Sequence, residues 1–560
     1  MDNSDRSRTA ESGTECSERK TNHCPRVANA RIFQKISQFI AFLPPIIFLW
    51  AELRFTVNMP NEDDYDSVLN WLYQFTNSRS TGSRITLLLR QHNEHRILLD
   101  RLVEIADVHL FGVVNFLYLN IFGFLGLVGT FALIYMVGRR SNTKVHELIP
   151  VSLMLFTFSQ SNLVSFAMAS VQMYWNLFFS LAAIIIVTKS HDWKYVTFGL
   201  SISIIAAFTS AGGLILFPTI LLYYVFTKHY RHAIQWLIPS CFVFYVYFIL
   251  LHYHPTAIGI ASHKYAAHHI GLYVKYIVMF LGNITHTQAQ AIAIGIAASV
   301  AWLYLLMHKK SMDPAVFVVA LLVSATAAAD GLSRISLGMG AALSSRYTPY
   351  SAILLSVVYI GLLASVSTKR FRTFVFTIGL AFSLLLFAVW FRRGVDSMRT
   401  MHSLQESDLV YPVQSRALMV IRDAIQSKLF TPIARIYADL PENLPLSHLS
   451  LYHPGYFGNI DSLVKNGAEI TVTGWAAIKQ EKRPAKAVIL DVDGHYYPTR
   501  YRQPRPDVVK AFNQSGYLYT GYTSTVALFS TTKKTCYVSV IVVSKYDLFY
   551  RSHKTRLACQ

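Results

Sequence analysis

Long apolar blocks recur along this chain of 560 residues. Each is close to the ~20 residues that a helix needs to cross a bilayer. The first runs from Ile36 to Val57 and is bent near Pro44-Pro45. It comes too late in the chain, and lacks a small-residue cleavage site, to read as a signal peptide. Ten more follow at 110–137, 148–169, 172–188, 195–211, 213–227, 234–251, 286–307, 314–331, 347–366 and 371–391. The segment 272–285 is apolar but short, and reads as interfacial or re-entrant. Only 15% of residues are charged, against about 25% in a soluble domain. The expected fold is an α-helical polytopic membrane protein of about eleven transmembrane helices.

Loop charge orients the spans. With residue 1 inside, the inner loops carry Arg139-Arg140 with Lys144, Lys189 with Lys194, Lys228 with Arg231, Lys309-Lys310, and Lys369-Arg370 with Arg372. All five are basic, as the positive-inside rule requires. The amino terminus is then cytoplasmic and the carboxyl terminus lies outside. Residues 1–35 are polar and mixed in charge, and read as a disordered cytoplasmic tail. Residues 36–393 form the transmembrane domain, with a long first outer loop at 58–109. Residues 394–455 read as a helical connector. From 456 to 560, β-branched runs and an Asp493-Gly494 hairpin signal predict an extracytoplasmic β-sandwich-like domain.

The net charge of +20 belongs largely to these loops, so nucleic acid is not an expected partner. The cysteines, Cys16, Cys24, Cys241, Cys536 and Cys559, form no zinc pattern. Cys536 and Cys559 would both lie outside, either bridged or as two free thiols.

Chemistry concentrates in the outer segments. The stretch NMPNEDDYDSVLNWLYQF puts Glu62, Asp63, Asp64 and Asp66 just outside the first span. Such acids serve either as a general base toward a hydroxyl arriving from water or as a solvated turn capping the next helix. The following RITLLLRQHNEHRILLDRLVEIAD reads as one helix, with Ile85, Leu88, Leu89, Leu99, Val103 and Ala106 on an apolar face. His92 and Arg96 interrupt that face, so they either bind the acidic turn or line a wet cavity that a phosphate would suit. The HNEH stretch departs from the zinc spacing H-E-x-x-H, and its Glu94 points away from His92 on a helix; no metal site is expected. Lys264, Arg334 and Arg346 are basic residues on outer loops, placed either to hold an anionic headgroup or to anchor at headgroup level.

An acidic group in a long first outer loop, a crown of about eleven spans and an external β-domain together resemble the GT-C class of membrane glycosyltransferases. That class includes serotype-converting O-antigen glucosyltransferases. The specific part of the resemblance is Glu62-Asp63-Asp64. It implies a polyprenyl-phosphate-linked sugar as donor and a cell-surface glycan or lipid-linked acceptor, at the outer side of a bacterial cytoplasmic (inner) membrane. It implies Asp63 or Asp64 as general base, with Glu62 beside them. It implies His92, Arg96, Lys264, Arg334 and Arg346 as candidates for holding the lipid phosphate. No organic cofactor is implied, and a divalent cation is left open. Trp475 reads either as a sugar-stacking aromatic or as a core residue. The alternatives are a transporter or flippase of lipid-linked sugars, or an O-antigen polymerase or ligase. Ionisable residues are scarce within the spans, which disfavours translocation.

Overall fold

The computed structural model describes residues 25–190, 192–285, 287–307, 312–407, 411, 414–432, 456–467, 469–479, 481–527, 535–544, 549–552 and 554–558. It opens with helix α1 (Pro25–Phe55), which carries Pro44 and Pro45 inside it. Residues 25–35 are therefore helical, where a disordered tail was expected; residues 1–24 lie outside the described part. Three short helices follow: α2 (Trp71–Asn77), α3 (Thr81–Leu89) and α4 (Leu98–Phe111). Then come α5 (Phe116–Arg140), α6 (Ile149–Leu155), α7 (Ala167–Lys189), α8 (Trp193–Thr209), α9 (Leu216–Phe226) and α10 (Tyr230–Phe244). The series continues with α11 (Ala257–His268), α12 (Ile270–Leu281), α13 (Gln288–Met307), α14 (Pro314–Arg334) and α15 (Thr348–Ser365). It ends with α16 (Lys369–Ser407) and the connector α17 (Gln414–Gln426).

Eight helical stretches among the described residues are long and apolar enough to cross a membrane. The segments His146–Leu155, Trp193–Thr209, Ala211–Phe226 and Ile270–Leu281 are apolar but shorter. The expected span 148–169 is interrupted. Helix α6 stops at Leu155, and a 3-10 turn over Phe158–Leu163 takes its place. Gln160 holds that break by donating to the Leu155 carbonyl and accepting from Tyr174. Along α16, Phe371, Phe374, Ile378 and Leu385 are more than half exposed, as side chains meant for lipid are.

The segment expected as one helix from Arg84 to Asp107 is two helices, α3 and α4, separated by a tight hairpin of β1 (Gln91–His92) and β2 (His95–Arg96). Asn93 turns the corner at φ 48°, a left-handed conformation that Asn tolerates. Two arginines take the carbonyls that a continuous helix would have used. Arg96 donates to the Leu89 carbonyl, and Arg101 to those of Leu88 (2.7 Å) and Arg90. On α4 it is the charged side that turns inward. Asp100, Arg101, Glu104 and Asp107 are buried, whereas Leu110 is 72% and Phe111 57% exposed.

Among its described residues, the C-terminal domain holds two five-stranded antiparallel sheets. One contains β3 (Tyr456–Asn466), β4 (Glu469–Ile478), β5 (Arg483–Pro484), β8 (Arg500–Gln503) and β9 (Gly521–Ala527). The other contains β6 (Ala487–Val492), β7 (His495–Pro498), β10 (Thr535–Val543), β11 (Phe549–Arg551) and β12 (Thr555–Ala558). Val488, Leu490, Val538 and Val540 meet Ile470, Val472 and Val526 in the core between the sheets. The next residues along the same strands, Ala487, Ile489, Ile541 and Val543, share a second buried cluster with Leu418 and Ile421 of α17 and with Val68 and Trp71 of the first loop. Strand alternation thus buries both faces, which explains the unbroken apolar runs. Cys536 is disulfide-bonded, and Cys559 lies outside the described residues.

Candidate functional site

The acidic turn is built from both sides. Thr56 donates to the Val164 carbonyl (3.0 Å), the Asn58 side chain accepts the Phe116 amide (2.9 Å), and Gln405 of α16 donates to the Met59 carbonyl (2.9 Å). Glu62 sits at φ 46°, strained for a residue with a long side chain. Its four acids then separate by job. The Asp64 carboxylate is fully buried and accepts the amides of Asn61 (3.1 Å), Ala167 (3.2 Å) and Met168 (2.9 Å). It caps the amino end of α7, whose own N-cap residue, Phe166, contributes no side-chain bond. Burial pushes its carboxyl up to about 7, against the pull of those three amides. A raised carboxyl often marks a general base. Here both oxygens are occupied and sealed from water, so Asp64 is a cap. Asp66 is bound by Tyr411 (2.5 Å) and Arg416 (2.6 Å), which tie the turn to the connector.

Of the other two acids, Glu62 is exposed, and Asp63 is half-buried and faces open space from within the fold. The Asp63 carbonyl receives the amide and the hydroxyl of Ser67 (both 2.8 Å), starting the next helix, and among the described residues its carboxylate meets only Asn93 Nδ2, at 3.4 Å. It lines two adjoining clefts of about 380 and 330 Å3. Both clefts are also walled by Asn93, Glu94, Phe166, Ala169, Arg334 and Arg346, so they are halves of one space. Their combined size is that of a small-molecule site. Glu62 lines the smaller half, and His92 and His95 the larger.

The cations in this space differ. Arg334, at the end of α14, donates to Glu94 (3.0 Å) and lies 3.7 Å from Asp330. Glu94 also accepts from Thr256 (2.5 Å), and Asp330 from Tyr276 (2.7 Å). Burial raises the Glu94 carboxyl, but Thr256 and Arg334 outweigh it, and the group stays below the usual carboxylate range. Arg334 is thus neutralised. Arg346 uses its Nε on Ser344 (3.1 Å) and lies over the Tyr347 ring, and makes no ion pair among the described residues. Its outer guanidinium nitrogens are free for a ligand.

Of the residues expected from sequence, the hairpin and the helix ends bring Asp63, Glu62, His92, Arg334 and Arg346 together. Three do not join them. Asp64 is the buried cap. Arg96 is 2% exposed; it donates to the carbonyls of Leu89, Tyr247 (3.2 Å) and Leu251 (2.7 Å), with its guanidinium over the Tyr247 ring. Lys264 is exposed on α11 and walls neither cleft. Glu94, expected to point away from His92, lines the same space, because a two-residue turn replaces the helix. His95 and Asp330 are added by the structure. The HNEH spacing held a signal for His95, but only as a zinc motif set aside; the signal for Asp330 is a lone acid at the end of the apolar block 314–331. Burial lowers both hairpin histidines, His95 to about 4 with Arg334 contributing. Among the described residues, no group of three or more His, Cys, Asp or Glu is arranged to hold a metal ion. Comparison with known protein families finds no matching family, and no curated protein matches the chain.

Proposed function

We propose that this chain is a membrane glycosyltransferase of GT-C type, which moves a sugar from a polyprenyl-phosphate donor to a glycan or lipid-linked acceptor outside the cytoplasmic membrane. The observation that carries the reading is one cleft holding an available carboxylate, Asp63, and an uncommitted guanidinium, Arg346. Transfer of a sugar from a lipid phosphate needs those two groups. The acceptor hydroxyl forms a bond to the anomeric carbon and gives its proton to Asp63. The bond from that carbon to the phosphate oxygen breaks, and its electron pair leaves with the lipid phosphate. Arg346 faces the charge that grows there. Glu94, Arg334 and Asp330 hold the wall rigid between them.

The orientation belongs to the same proposal: about eleven spans, amino terminus inside, cleft and β-domain outside. Five basic loops on one side support it, as does the disulfide at Cys536, since such bonds persist in oxidising compartments. Arg334 and Asp330 lie at the end of α14 rather than at its middle, which suits chemistry at the membrane surface better than translocation.

The test is transfer from polyprenyl-phosphate sugars by the full chain in nanodiscs. Asp63→Asn is expected to cut the rate by roughly 10²-fold or more while leaving thermal unfolding unchanged. An unimpaired Asp63→Asn enzyme would remove Asp63 as base. A wild-type chain that transfers from no such donor would overturn the reading.

A further inference from the structure

His95 lies on β2 and faces the larger cleft. Its ring is held from behind. The amide of Ala211 reaches Nδ1 at 3.3 Å, and the Ser210 hydroxyl lies 3.4 Å from the same nitrogen. A backbone N–H can only donate, so Nδ1 must present a lone pair. In the neutral ring the proton then sits on Nε2. Nε2 has no hydrogen-bond partner among the described residues, and it is not one of the buried polar atoms left unsatisfied, so it opens on the cleft. The ring stands among Glu94, His92, Arg334 and Arg346. Burial and the two arginines disfavour a further positive charge there.

We propose that His95 is a second phosphate-binding residue, whose Nε2–H, fixed by the Ala211 amide, donates to the lipid phosphate alongside Arg346. This rests on the reading of the cleft as a polyprenyl-phosphate site. The chemistry fits the direction of the reaction. A sugar-bearing lipid phosphate carries one negative charge, and the monoester left behind gains a second. A preset neutral donor strengthens as that charge grows and takes no proton from Asp63. The donor also keeps its state across physiological pH, unlike an ordinary histidine.

The experiment uses the full chain in nanodiscs and undecaprenyl monophosphate as probe. His95→Phe is expected to weaken probe binding roughly 10-fold, the size of one hydrogen bond to a charged group. His95→Gln, whose side-chain amide still donates, should recover part of that loss. In 15N-histidine magic-angle-spinning spectra, the signal missing from His95→Gln should be that of a neutral ring protonated at Nε2 from pH 5.5 to 8. It should shift when the probe is added. If the wild type binds the probe and His95→Phe binds it equally well, the role of His95 is overturned while the glycosyltransferase reading stands. A signal protonated at Nδ1, or titrating as imidazolium in that range, also overturns it. If the wild type binds no polyprenyl phosphate, both fall together. Should His95→Phe fail to fold, His95→Gln and the spectra still decide.

Discussion

Asp63 and Asp64 are neighbours of one residue type with opposite fates. The turn at Glu62 aims one carboxylate into the cleft and the other at the start of α7. Their substitutions should therefore differ in kind. In Asp64→Asn, the amide keeps one acceptor oxygen and sets its own N–H groups against backbone amides that need acceptors. The cost is about 1–3 kcal/mol, seen as a lower melting temperature of the detergent-solubilised protein. Asp63→Asn should melt as the wild type does. Arg96→Lys belongs with Asp64, since an ammonium gathers its three donors on one nitrogen and does not span carbonyls that two separate guanidinium nitrogens reach. It should lower the melting temperature and leave donor affinity unchanged in the protein that folds. An Asp64→Asn or Arg96→Lys chain as stable as the wild type would refute these structural roles.

Helix α4 shows how lipid changes the meaning of an apolar stripe. Its acids face inward, at spacings that place Asp100, Glu104 and Asp107 on one side, and Leu102, Leu110 and Phe111 face out. Both oxygens of Asp100 and one of Glu104 lack partners among the described residues. Burial raises all three carboxyls, Asp107 to about 6. A carboxyl raised on folding contributes stability at low pH, and that contribution is lost as pH rises through the folded value. The helix should thus loosen as pH rises above the ordinary carboxylate range of about 4; the part due to Asp107 is spent by about pH 6, and Asp100 and Glu104, raised further, carry the loss to higher pH. Hydrogen exchange at α4 amides, corrected for intrinsic rates, should be faster at pH 8 than at pH 5.5. The Asp100→Asn, Glu104→Gln double variant should blunt that change. Equal protection at both pH values in the wild type would remove the acids from any such role.

At the scale of the molecule, the β-domain is coupled to the cleft through α17. Ile541 and Val543 lie in one buried cluster with Leu418 and Ile421 of that connector, and Tyr411 and Arg416 hold Asp66 three residues from Asp63. Ile541→Asp would bury a charge at this seam, a costly change. It is expected to open the seam to limited proteolysis and to lower sugar transfer several-fold, although residue 541 touches neither cleft. A variant with opened proteolysis and full transfer would show that the domain is an appendage without effect on the acidic turn.

Much of the element plan was legible because a bilayer and a sheet each impose a simple period. Apolar length marked the helices, and the β-branched runs marked the strands after residue 456. The acidic turn, Arg334 and Arg346 stood out as charges near the apolar blocks. What the sequence alone could not settle was direction. A polar stripe on an amphipathic helix reads the same whether protein or lipid lies opposite, so the inward face of α4 was invisible. A hairpin made by Asn93 and two carbonyl-seeking arginines looked like helix, because each residue around it is helix-compatible alone. Only packing decided that Asp64 and Arg96 would be consumed by backbone groups, and that Asp63, His95 and Arg346 would be left to face one space. Those assignments depend on partners about 100 or more residues away, such as Met168, Ala211 and Tyr247, and local pattern carries no information about them.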